Sequence, residues 1–217
     1  MSLQSLLEET RAGASTRIPE EALAIMRAAD EELTAQGVGN DALKVGDTLP
    51  DAELTSATGE TVRMSELAAK GPLVITFYRG GWCPYCNLEL KAYQDLLSEI
   101  TALGGQLVAV TPEKPDNSLS TTEKNALTFP VLTDNENSFA KALGIVFELP
   151  APLQALYGKF GMDLPGLNAG SGWTLPIPAT FVVGADGKIV LADVDTNYTR
   201  RLEPSEAVAA LSASVAA

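Results

Sequence analysis

The chain has 217 residues, 46% of them hydrophobic and 20% charged, and its 15 Lys and Arg against 28 Asp and Glu leave a formal charge of −13. That composition fits one core-forming domain with an appendage and excludes a disordered chain or a disulfide-stapled miniprotein. No histidine is present, which removes Ser-His-Asp and Cys-His catalysis and imidazole zinc sites, and the acidity argues against nucleic acid and anionic membrane as partners.

Residues 1–44 predict a helical arm. Its first helix rests on Leu3, Leu6 and Leu7 and is stopped by Gly13. The second opens at Pro19 with Glu20 and Glu21, sets Leu23, Met26, Ala29 and Leu33 on one side, and ends at Gly37. These apolar stripes either pack on the chain's own domain or make a homodimer contact. The first residues have no basic stretch and meet Glu8 and Glu9 where a signal peptide stays apolar, so a cytoplasmic protein is expected. The longest apolar run, Leu73 to Tyr78, is far too short for a membrane span.

From Val45 the pattern changes to alternating strands and helices, which predicts one α/β domain over 45–217. A hairpin is expected around Ala57–Glu60, with Ser65 capping a short helix after it. Residues 73–78 read as a buried strand, and Cys83 to Leu103 as a helix ended by Gly104 and Gly105. A strand at 107–110, a polar helix at 118–126, a strand at 129–132 and a helix at 138–143 follow. Residues 148–178 break the alternation with five prolines around one helix, 153–160, as an insertion near a functional edge would. A hairpin, 179–183 with 189–192, and a terminal helix, 204–215, close the chain.

The only cysteines are Cys83 and Cys86, in Gly80-Gly81-Trp82-Cys83-Pro84-Tyr85-Cys86 between a buried strand and a helix. Proline suits the first helical position, so Cys83 falls at the cap and Cys86 in the first turn, both facing the positive end of the helix dipole. That placement favours thiolate, and residues three apart lie about 5–6 Å from each other, within reach of a disulfide. Half a zinc site is the rival, but no third cysteine or histidine completes one, so no metal or cofactor is expected. The two glycines permit a sharp turn and leave room for an approaching molecule. Trp82 would shield one side or help dock the substrate.

The strand, the Trp82–Cys86 segment and the helix after it resemble thioredoxin-fold proteins, and Cys-Pro-Tyr-Cys is similar to the glutaredoxin motif. Over the stretch from Val45 to the C-terminus, Val45-Gly46-Asp47, Pro50-Asp51, the hairpin and Phe77-Tyr78 ahead of a helical cysteine resemble the peroxiredoxins. The likeness is to their alkyl hydroperoxide reductase and thiol-specific antioxidant group. The resemblance implies a thioredoxin-like fold with a central mixed sheet flanked by helices. It implies that Cys86 holds the peroxidatic position and that Cys83 replaces the usual Thr or Ser. It also implies an arginine before the strand at 179–183, where this chain has Pro178, as thioredoxins do. Arg79 and Arg200 or Arg201 are the replacement cations, although each also reads as an ordinary surface charge.

The leading expectation is an antioxidant thiol peroxidase: Cys86 attacks a hydroperoxide, Cys83 closes the disulfide, and thioredoxin, glutaredoxin or glutathione reduces it. The alternative is a protein disulfide oxidoreductase with Cys83 as nucleophile, in which a cis Ile177–Pro178 bond sits against the pair. A non-catalytic binding module is the third class.

Overall fold

A computed structural model describes residues 1–215. Three helices come first, α1 (Leu3–Ala12), α2 (Ala14–Arg17) and α3 (Glu20–Ala35). Then follow β1 (Glu53–Ser56), β2 (Thr61–Arg63), α4 (Met64–Ala68), β3 (Leu73–Phe77), α5 (Pro84–Ala102), β4 (Gln106–Thr111), α6 (Pro115–Lys124) and β5 (Val131–Thr133). The remainder is α7 (Ser138–Ala142), β6 (Val146–Glu148), α8 (Ala151–Lys159), α9 (Leu164–Leu167), β7 (Thr174–Pro176), β8 (Ala179–Val183), β9 (Ile189–Val194) and α10 (Pro204–Val215).

Seven strands form one sheet in the order β2-β1-β5-β4-β3-β8-β9, and β6 pairs with β7 apart from it. The run β3-β4-β5 is parallel, while β8 joins β3 and β1 joins β5 antiparallel, which makes the central sheet mixed. All five residues of β3 are buried because both faces of the sheet are covered. Strand alternation sends Leu73, Ile75 and Phe77 into a core with Val108, Phe139 and Phe181, and sends Val74 and Tyr78 into the opposite core against α5. The expected α/β thioredoxin-like architecture is the one observed.

Differences from the sequence reading lie at element edges. Ser65 does not cap α4, which begins one residue earlier. The Asp51 carboxylate, 14 residues upstream, accepts the Ser65 N–H at 2.8 Å and does the capping. Helix α6 begins at Pro115, three residues before the polar pattern suggested, because proline fits a first turn. Gly13 adopts a helical conformation, so a further turn, α2, follows α1 directly.

The first three helices are packed on the chain itself. Leu3 and Leu7 of α1 are buried in the core beneath α5, and Ala22 and Ala29 of α3 pack with Leu153 and Leu156 of α8. The Glu203 carboxylate accepts the Leu3 and Gln4 N–H groups at 3.3 and 2.8 Å, and the Gln4 amide donates to the Arg201 carbonyl at 2.6 Å. Helix α1 is thus tied to the segment that carries Arg201. A Leu7→Ala variant is expected to lose about 2–5 kcal/mol of stability, measured by urea unfolding, since Leu7 has no exposed surface.

Candidate active site

Strand β3 ends at Phe77, and the turn 79–82 leads into α5 at the carboxyl ends of the parallel strands. The turn is held from two sides. The Gly81 N–H donates to the Glu113 carboxylate at 2.7 Å, and the Asn87 amide donates to the Gly81 and Cys83 carbonyls at 2.8 and 2.9 Å. A Cβ on Gly80 would collide with the Trp82 indole, and one on Gly81 with the Thr121 hydroxyl. The room expected at these glycines for an incoming molecule is filled by the chain's own Trp82 and Thr121.

Cys83 occupies the N-cap position of α5 with Pro84 at the first helical position, and Cys86 lies in the first turn. Both thiols are free and have no exposed surface. Each has its own guanidinium: Arg79 Nη2 lies 3.6 Å from Cys83 Sγ, and Arg201 Nη2 lies 3.2 Å from Cys86 Sγ. Burial pushes the Cys83 thiol up, but the hydrogen bond from the Cys86 thiol and the charges of Arg79 and Arg201 outweigh it and bring Cys83 well below the usual thiol range. For Cys86, burial and the neighbouring Cys83 act together and push it well above that range. The two thiols therefore titrate as one coupled pair, its first proton leaving below the usual thiol range and its second above it.

Arg201 is no surface charge; only 6% of it is exposed. Its Nε donates to Glu89 Oε2 at 2.6 Å, and its Nη1 donates to the Tyr198 and Arg200 carbonyls, each at 2.6 Å. Glu89 in turn accepts the Thr76 hydroxyl at 3.3 Å. Burial pushes Glu89 up to about 7 against the pull of the Arg201 charge. Arg200 does face solvent, paired with Asp195 at 3.3 Å. Glu89 had a sequence signal that the motif reading passed over: it shares the core-facing stripe Cys86, Leu90 and Tyr93, where a carboxylate needs a buried partner.

The Ile177–Pro178 bond is trans, and there is no cis bond among the described residues. The Ile177 N–H donates to the Ile145 carbonyl at 2.7 Å, and the chain runs extended from β7 into β8. Pro178 is buried in a crevice with Arg79, Tyr157 and Tyr198, and the side chain facing Cys83 is Arg79. The expected cis-proline cover over the sulfurs is therefore not what this chain builds.

A cavity of about 420 Å³ opens over the motif. It is lined by Arg79, Trp82, Pro84 and Tyr85 at the motif, by Ile18, Leu23 and Met26 from the N-terminal segment, and by Tyr157 and Met162. The Trp82 ring packs edge-on against Tyr157 with centroids 5.7 Å apart, and the Arg79 guanidinium lies 4.9 Å from the Trp82 centroid. Sequence reasoning placed a functional edge at 148–178, but not the Tyr157 contact.

Fold and site together define a thioredoxin-fold protein with a buried dithiol flanked by two arginines. Residues 45–192 match the AhpC/TSA family, and the chain belongs to that family; its reaction class is thiol-dependent peroxide reduction. A Mycobacterium tuberculosis protein assigned to the peroxiredoxins is 29% identical over 157 residues, spanning 72% of this chain and 88% of its own length. Peroxiredoxin Bcp of Bacillus subtilis is 25% identical over 148 residues, spanning 68% of this chain and 83% of its own. The crystal structure of peroxidoxin BcpB from Mycobacterium tuberculosis superposes with a TM-score of 0.62 at 24% identity, over 79% of this chain and 97% of that one.

Proposed function

We propose that the chain reduces organic hydroperoxides through a Cys83–Cys86 dithiol–disulfide cycle in which Cys83 is oxidised first. The observation that carries this reading is the buried dithiol with one guanidinium on each sulfur. The Cys83 thiolate attacks the terminal peroxide oxygen, the O–O bond breaks, and the departing alkoxide takes a proton to leave as an alcohol. Cys83 is then a sulfenic acid. Attack by the Cys86 sulfur on Cys83 releases water and closes the disulfide, and two electrons from thioredoxin, glutaredoxin or glutathione restore both thiols. This order reverses the one the family position of Cys86 implies. Its support is the downward pull on the Cys83 thiol and the cavity, whose lining includes Arg79, the partner of Cys83, and not Arg201, the partner of Cys86.

Full burial of both sulfurs suits a small peroxide better than a protein disulfide, and a reducing cytoplasm suits a pair that must return to the dithiol state. We take residues 1–44 as accessory helices to the domain over 45–217. Their buried apolar residues pack on that domain, and both cysteines of the cycle lie on one chain. The test is sustained hydroperoxide consumption by the purified chain with each reductant in turn; no turnover with any of them would overturn the reading.

The cavity sets the expected preference. Hydrogen peroxide fills a small part of about 420 Å³, whereas an apolar organic group covers Trp82, Met26 and Tyr157 and gains roughly 25 cal/mol for each Å² buried. Phe160, 45% exposed, lies at the mouth. Phe160→Asp is expected to lower kcat/KM for cumene hydroperoxide about tenfold and leave that for hydrogen peroxide within about twofold, read from initial rates with both substrates.

A further inference from the structure

Arg79 is a buried cation, 5% exposed, with incomplete charge balance. Its guanidinium lies 4.1 Å from the Tyr198 ring centroid, and its Nε has no hydrogen-bond partner. Among the described residues, no carboxylate lies within 4 Å of it. Glu89 is engaged by Arg201, and Glu113 by the Gly81 N–H. In the dithiol state the Cys83 thiolate balances Arg79. Once Cys83 becomes a sulfenic acid or a disulfide that charge is gone, and an unpaired buried guanidinium is costly.

The carboxylate that faces Arg79 comes from the N-terminal helices. Asp30 of α3 and Arg79 line one crevice with Met26, Tyr157, Pro178 and Tyr198, and its free space of about 10 Å³ holds at most a single water. We propose that Asp30 is a positioning residue of the redox cycle: it anchors the Arg79 guanidinium when the thiolate is consumed and so stabilises the oxidised pair. Burial pushes Asp30 up to about 6 while the Arg79 charge pulls it down, so it is ionised at neutral pH. The titratable groups that face it are Arg79 from the turn after β3, Tyr157 of α8 and Tyr198 after β9; both tyrosines are raised by burial and stay neutral. Asp30 also borders a second pocket, shared with the exposed Glu31 and with Asn197.

This role rests on the Cys83–Cys86 cycle proposed above, and its test separates the two. The full-length protein is equilibrated against glutathione buffers, and the disulfide fraction is read by mass after thiol trapping. Asp30→Asn is expected to shift the equilibrium about fivefold toward the dithiol, roughly 20 mV for a two-electron couple. Asp30→Glu should restore most of the wild-type value, and Glu31→Gln should match wild type. Besides the bends of the thiol pair and of Glu89, the wild-type potential plotted against pH should carry one near the ionisation of Asp30, about 6, that moves or vanishes in the Asp30 variants, which a purely structural role would not produce. If Asp30→Asn does not fold, the Asp30→Glu potential and the displacement of that bend in Asp30→Glu decide. A normal couple that is indifferent to Asp30 and shows no such bend overturns this role alone. A wild-type chain that forms no Cys83–Cys86 disulfide overturns the cycle and this role with it.

Discussion

A Cys86→Ser protein is expected to consume one equivalent of hydroperoxide and stop, with a sulfenic acid held on Cys83. The substitution leaves Arg79 at 3.6 Å from the Cys83 sulfur and puts a hydroxyl donor where the Cys86 thiol stood, so the attacking thiolate survives while the resolving sulfur is lost. Cys83→Ser should react with peroxide at least about tenfold more slowly than Cys86→Ser, because it loses the sulfur that faces Arg79 and burial still pushes the remaining Cys86 thiol up against the pull of Arg201. In the wild type, the rate should hold its plateau to lower pH than an ordinary thiol would allow, since the first proton leaves the pair well below the usual thiol range. Rapid-mixing kinetics with sulfenic-acid trapping and mass analysis distinguish the orders. Fast reaction of Cys83→Ser, with the sulfenic acid on Cys86, would restore the order implied by the family position.

Arg201→Leu is expected to be among the most destabilising single changes in the chain, at about 3–5 kcal/mol by urea unfolding, because it strands a fully buried carboxylate. The pH dependence identifies the cause. Glu89 in the folded chain lies at about 7, above its ordinary 4.5, so between those values the folded state binds more protons and stability falls as pH rises. Loss of the guanidinium raises Glu89 further and widens that window. The deficit of Arg201→Leu should therefore be smaller near pH 5 than near pH 8, roughly by the protonation of one carboxylate. Adding Glu89→Gln should return most of the stability without returning the charge that faces Cys86, so the thiolate of the double variant should form at higher pH than in wild type. An Arg201→Leu deficit that does not change with pH would separate Arg201 from Glu89.

Much of the site was legible in one short segment of sequence. The placement of Cys83 and Cys86 at the start of a helix after a buried strand depends on Pro84 and on the apolar run before it, and the structure has both as expected. The mixed α/β sheet likewise follows from strand and helix periodicities that act over a few residues at a time. Local chemistry said less about the glycines, whose open side is occupied by a tryptophan two residues on and by Thr121 from α6.

What tertiary structure decided is the charge around the sulfurs. Arg201 reaches Cys86 across 115 residues, delivered by the segment after β9 that α1 ties down through Glu203 and the Gln4 amide. Nothing in the pattern Arg200-Arg201 says which of two adjacent arginines turns inward. That follows from Glu89, whose carboxylate lies on the buried stripe of α5 and must find a cation there. Pro178 is read in the same way: its position before β8 was visible, but its trans bond and its place against Arg79 depend on the β6–β7 pairing that carries the chain into β8. Sequence alone determined the two sulfurs and the elements that present them, because propensity, capping and periodicity act over one or two turns. The ionisation of those atoms, the cavity above them and the acid facing Arg79 were set only by folding, because electrostatics in a dry interior depends on distances in space between residues far apart in the chain.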